Sequence, residues 1–259
     1  MTVQALEDHR PASVRCCILF AVLGGFALLG SLGLWNWERD HGAELWAFVK
    51  AHVVDRDQDF WATRFWDAAS DLGHGYCLAA VIVTLTVIYG SRRFLQDAIF
   101  VTVGASVATN LLKVVVDRAR PGGGAPHSWP SGHATGSFAL ALCCVTRPRW
   151  FAIALPIALL ACLARVMRER HWPSDVLAGF GIALLATALL MHIRPLVPQA
   201  LCRLPMRLVF GFGLFAYAIG ELAFGSYRGD HTGYLQLMVQ PLVLVAASRA
   251  CRLADQAHP

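Results

Sequence analysis

The sequence predicts an all-α protein: a polytopic transmembrane helical bundle of about eight spans, with short interfacial helices in its first outer loop. Three observations predict it. Hydrophobic residues fill 56% of the 259 positions and charged residues only 15%, where a soluble domain carries about 25% charge. The apolar residues fall in runs of span length that do not alternate with polar ones, which argues against a barrel. The loops between the runs also alternate in charge. Intrinsic disorder, a coiled coil and a disulfide-stapled secreted module are excluded, and no nucleic-acid partner is expected.

The runs are Cys16–Trp37, Leu72–Tyr89, Phe94–Val116, Gly132–Thr146, Trp150–Met167, Ser174–Ile193, Leu208–Tyr227 and Tyr234–Ala247, the fourth and eighth being short. The chain therefore reads as one integral membrane domain over residues 1–259, ending in a cytoplasmic tail at 248–259. The first run is longer than a signal-peptide core and lacks a small-residue cleavage site, so it reads as a retained anchor. Alternate loops hold Arg10, Arg15, Arg92, Arg93, Arg147, Arg149, Arg194, Arg203, Arg207, Arg249 and Arg252, which is 11 of the 22 basic residues. Segment 38–71, on the other side, holds the acids Glu38, Asp40, Glu44, Asp55, Asp57, Asp59, Asp67 and Asp71 against Arg39, Lys50, Arg56 and Arg64. By the positive-inside rule both termini are cytoplasmic. Seven of the eight tryptophans fall on the outer side, the half-wet environment that suits an indole. The stretches Glu44–Val54 and Phe60–Phe65 read as helices lying on the membrane surface, or else as a packed lid. All eight cysteines lie in spans or at cytoplasmic span ends without a Cys-x-x-Cys pair, so neither disulfides nor a thiolate zinc site is expected.

Ionisable residues are costly at the edge of a hydrocarbon core and need a reason to be there. Three groups share the outer side: Lys113, Asp117, Arg118, Arg120 and Pro121; Pro130, Ser131, Gly132 and His133; and Arg165, Arg168, Glu169, Arg170, His171 and Asp175. Span ends distant in sequence can converge there. Lysine and arginine gathered where few acids compete form a receptor for phosphate. Ser131 and Gly132 open a helix, whose unpaired N–H groups also face an anion. Two histidines can divide nucleophile and acid roles. Pro173 fits a first helical position, which places His171 just ahead of a helix and Asp175 in its first turn. The carboxylate can then hold one ring nitrogen protonated and leave the other free to attack. Arg118, Arg168 and Arg170 read as partners of lipid headgroups. Each group alone is commonplace, but ten specified positions in order, at roughly one in twenty each, are not a coincidence.

These residues resemble the type 2 phosphatidic acid phosphatase superfamily, which includes membrane lipid phosphatases, glucose-6-phosphatase and soluble vanadium haloperoxidases. Its signature of Lys, six residues and Arg-Pro matches Lys113 to Arg120-Pro121. Pro-Ser-Gly-His matches Pro130 to His133. Ser-Arg, five residues, His, three residues and Asp matches Arg165, His171 and Asp175, with Ala164 in place of the serine, which takes away one hydroxyl near the phosphate. The resemblance implies a phosphatase core over about residues 72–193, of six spans in the family. It implies that His171 attacks phosphorus to form a phosphohistidine, oriented by Asp175. His133 protonates the leaving oxygen and then activates water. Lys113, Arg120, Arg165 and the Ser131 and Gly132 amides hold the phosphoryl oxygens. It implies no cofactor and no metal.

A site at headgroup level flanked by aromatic residues suits a lipid phosphate in the bilayer. Expected substrates are a polyprenyl pyrophosphate, phosphatidylglycerophosphate or phosphatidic acid, or the 1-phosphate of lipid A. The compact loops suggest a bacterial inner membrane with the site facing the periplasm. A lipid phosphotransferase using the same phosphohistidine is the alternative, and a non-enzymatic lipid binder or transporter the more distant one. Residues 122–124 and His127 read as a flexible turn. The sequence does not specify an oligomeric state.

Overall fold

The computed structural model describes residues 14–52, 60–89, 92–123 and 126–194. Among these, every regular element is an α-helix: α1 (Val14–His52), α2 (Phe60–Asp71), α3 (Gly75–Tyr89), α4 (Arg92–Val115), α5 (Gly132–Cys143), α6 (Pro148–Met167) and α7 (Pro173–Ile193). The expected spans Leu208–Tyr227 and Tyr234–Ala247 lie outside the described residues, as does the tail at 248–259.

Four helices, α1, α4, α6 and α7, are long and apolar enough to cross a membrane. The bent pair α2–α3 qualifies as a fifth span only if its two halves, at 58° to each other, are taken together. The expected span Gly132–Thr146 is corrected: α5 has 12 residues and rises about 18 Å, short of the roughly 30 Å hydrocarbon layer. It is instead an inner helix packed on α4, α6 and α7. Phe138, Ala139, Ala141 and Leu142 are buried there with Val101, Ala105, Ala158, Ile182 and Ala183. Around this centre the outward faces remain apolar, with Leu29, Phe26, Leu111, Val115, Leu159 and Leu189 exposed. That pattern suits lipid as the solvent.

The break expected after Trp37 is also absent. α1 continues to His52 as one helix of 39 residues, so Glu44–His52 forms its final turns. One stripe of this extension faces protein, including buried Glu38, Gly42 and Trp46. Lower down, α1 meets α7 through facing glycines. A Cβ added at Gly181 would lie 2.9 Å from the Gly24 carbonyl oxygen, and one at Gly24 would lie 3.0 Å from the Gly181 oxygen. Helices in lipid gain little from apolar burial and associate by such close backbone approach. The contact runs α1 alongside α7 and carries Glu38 up to the first turn of α7. At the other end of the bundle Arg194 pairs with Asp97, tying α7 to α4.

Candidate active site

Local chemistry explains how each side chain is presented. Ser131 caps α5 by accepting from the Ala134 amide, which leaves Gly132 and His133 in the first turn. Pro173 opens α7 and Asp175 sits at its third position, accepting from the Trp172 amide at 2.9 Å. That bond fixes both the helix start and the carboxylate. Lys113 lies in the last turn of α4 and Arg165 in the last turn of α6.

The helix ends carrying these residues converge. The Ser131 amide donates to the Asp175 carbonyl at 3.0 Å, joining the starts of α5 and α7. The Lys113 Nζ stands 3.8 Å from where a Gly132 Cβ would be, so the amine overhangs the start of α5. The His171 amide donates to the Arg165 carbonyl at 3.3 Å, folding the α6–α7 turn back on itself. Arg120, buried, donates from Nη1 to the Arg170 carbonyl at 3.3 Å. His171 is 2% exposed, and its Nδ1 lies 3.4 Å from Asp175 Oδ2. His133 is met by the α2–α3 turn, where the His74 ring stands edge-to-face with it at 5.4 Å between centroids.

Three neighbours are not among the residues expected from sequence. Ser70 of α2 accepts from Arg165 Nη1 at 2.8 Å, bringing a hydroxyl to the arginine beside buried Ala164. His74 stands against His133. Glu38 of α1 receives Arg118. A serine and a histidine flanking the turn between two largely apolar helices, and an acid directly after an apolar run, were the available signals. One arginine expected at lipid headgroups is corrected. Arg118 is buried and donates to Asp175 Oδ1 at 2.6 Å and to Glu38 Oε2 at 2.7 Å. Arg168 pairs with Asp67 at 2.7 Å. Gly122, placed in a flexible turn from sequence, donates to the Glu169 carbonyl at 3.1 Å and docks the post-Arg120 loop on the α6–α7 turn.

The arrangement gathers cationic side chains and the start of α5 near a buried imidazole whose Nδ1 side is occupied by a carboxylate, the Ser131 amide itself being taken by the Asp175 carbonyl. Such a site can bind a phosphoryl group and present the other ring nitrogen to it. Among the described residues, no group of three or more His, Cys, Asp or Glu side chains is arranged to hold a metal ion.

Comparison with known proteins accords with this chemistry. A lipid A 1-phosphatase of Porphyromonas gingivalis is 36% identical over 93 residues, 34% of this chain and 21% of that protein. The match thus spans about a fifth of that relative's length. The crystal structure of a transmembrane PAP2-type phosphatidylglycerolphosphate phosphatase from Bacillus subtilis superposes with a TM-score of 0.54 at 22% identity, covering 68% of this chain and 98% of that one. It shares the fold. Residues 94–198 match the PAP2 superfamily, a stretch that contains all three motif groups. Through that segment the chain, an integral membrane protein, is similar to the PAP2 superfamily.

Proposed function

We propose that this protein is a membrane lipid phosphatase that hydrolyses a phosphomonoester or pyrophosphate on a lipid at the outer face of a bacterial inner membrane. The observation that carries the reading is the junction of α5 and α7. The Ser131 amide to Asp175 carbonyl bond, at 3.0 Å, sets the start of α5 beside a carboxylate that lies 3.4 Å from His171 Nδ1. With Nδ1 holding its proton toward Asp175, the Nε2 lone pair is the nucleophile.

In the first step Nε2 of His171 bonds to phosphorus, and the bond from phosphorus to the lipid oxygen breaks. His133 gives its proton to that oxygen. In the second step water attacks the phosphohistidine while His133 takes a water proton, the P–N bond breaks, and inorganic phosphate leaves. Lys113, Arg120, Arg165 and the Gly132 amide bind the phosphoryl oxygens throughout; the Ser131 amide, expected from sequence to join them, is instead committed to the Asp175 carbonyl. These positive groups supply the charge that the reaction needs, so the mechanism calls for no metal.

Substrate candidates are polyprenyl pyrophosphate, phosphatidylglycerophosphate or phosphatidic acid, and the lipid A 1-phosphate. The similarity to a lipid A 1-phosphatase supports including the last of these. Phosphate release from each purified lipid in detergent, with and without EDTA, tests the proposal. Release that EDTA leaves intact and His171→Ala abolishes is the expected result. Full turnover by His171→Ala overturns the assignment. Phosphate released only to a second lipid identifies a phosphotransferase instead.

A further inference from the structure

The first helix lies outside the matched segment 94–198, yet its Glu38 reaches the centre of the site. Its side chain is fully buried. Oε1 accepts from the Ser174 amide at 3.0 Å, and Oε2 accepts from the Ser174 hydroxyl and, at 2.7 Å, from Arg118 Nη2. The same arginine gives Nη1 to Asp175 Oδ1 at 2.6 Å. The other oxygen of Asp175 accepts from the Ser128 hydroxyl and the Trp172 amide and faces His171. The guanidinium lies over the rings of Trp35 and Trp172, 4.8 and 5.3 Å from their centroids. Room for this stack depends on Gly42, where a Cβ would lie 2.8 Å from the Trp172 indole.

Charge gives this chain a purpose beyond glue. Arg118 alone beside Asp175 would neutralise it, and a neutral ion pair holds an imidazole N–H weakly. Two carboxylates around one guanidinium leave a net charge of −1 directed at His171. Burying such a triad is costly unless every partner is satisfied. Here each oxygen of both carboxylates has a donor or charged partner.

We infer that Glu38 is a positioning residue for the reaction. It anchors Arg118 and balances its charge so that Asp175 holds His171 with its negative charge undiminished. This rests on the proposed function, in that His171 must be the nucleophile.

The test compares wild type, Glu38→Gln, Asp175→Asn and the double variant, purified in detergent, by phosphate release from short-chain phosphatidic acid and from a polyprenyl pyrophosphate. Glu38→Gln keeps the shape and removes the charge. The expected result is a kcat lower by between about 10- and 100-fold, with KM within about threefold. Glu38→Asp, which keeps the charge, should recover part of that loss. In the Asp175→Asn background, adding Glu38→Gln should cost less than about twofold more, because the partner it acts through is already gone. A Glu38→Gln kcat within twofold of wild type overturns the inference. So does a loss confined to KM, or one that adds in full to Asp175→Asn. If Glu38→Gln does not fold, Ser174→Ala removes one anchor of Glu38 without leaving a buried charge. It should lower kcat by about three- to tenfold with the same non-additivity, and an unchanged kcat overturns the inference. Wild-type turnover that survives His171→Ala removes the proposed function, and this inference with it; His171-dependent turnover that is indifferent to Glu38 removes the inference alone.

Discussion

Asp175 accepts from Arg118, Ser128 and the Trp172 amide while facing His171, so asparagine in its place would keep the volume and lose the charge. Under the proposed mechanism Asp175→Asn lowers kcat by about a thousandfold or more at nearly unchanged KM, because the imidazole loses its tautomer control. Steady-state phosphate release measures both constants. Ser70→Ala tests a residue that no motif pointed to. It removes one hydrogen bond from a buried guanidinium, worth about 1.5–3 kcal/mol for a charged partner, so kcat/KM should fall by about ten- to a hundredfold. The motif residues were legible because spacing on one chain carries them. Ser70, His74 and Glu38 were not, because each acts on a partner at least 59 positions away, and only the folded backbone makes them neighbours.

Helices α1, α4, α6 and α7 could be read directly, since apolar length alone identifies them. The fate of α5 could not, because an enclosed inner helix and a short span have the same composition. The continuation of α1 past Trp37 was hidden for a related reason: the acidic stretch after it read as a separate surface helix or lid, while one stripe was meeting Arg118, Ser174 and Trp172. The facing glycines of α1 and α7 make an element-level prediction. Gly181→Leu forces a side chain into the Gly24 backbone and should lower the thermal midpoint of the detergent-solubilised protein. It should also lower phosphatase activity, because Glu38 travels with α1. Unfolding followed by tryptophan fluorescence checks the first effect and phosphate release the second. On α2, Trp61 is 78% exposed and Phe65 52%, and the reading of α2 as a helix resting on headgroups puts both against lipid. Trp61 fluorescence, in a variant whose other tryptophans are phenylalanine, should be quenched by brominated lipid, most strongly with bromines high on the acyl chain.

At the scale of the whole molecule, the alternation of basic and acidic loops predicts which side the site faces. A single cysteine introduced at Gly123, in a background with all eight native cysteines replaced, should react with a membrane-impermeant maleimide added to right-side-out cells. One introduced at Arg149 should react only after permeabilisation. The reverse pattern would invert the topology. Charge asymmetry gives an expected orientation from the sequence, whereas the joining of the helix ends depends on three-dimensional packing that no loop composition encodes.

The length of α1 has a practical corollary. The stretch shared with relatives starts at residue 94, but a polypeptide begun at residue 72 would lack the acid that flanks Arg118 and the α2 hydroxyl that touches Arg165. Trimming to the recognisable segment would thus remove these two contacts while sparing every signature residue, and under the proposed function the shortest active form starts upstream of position 38.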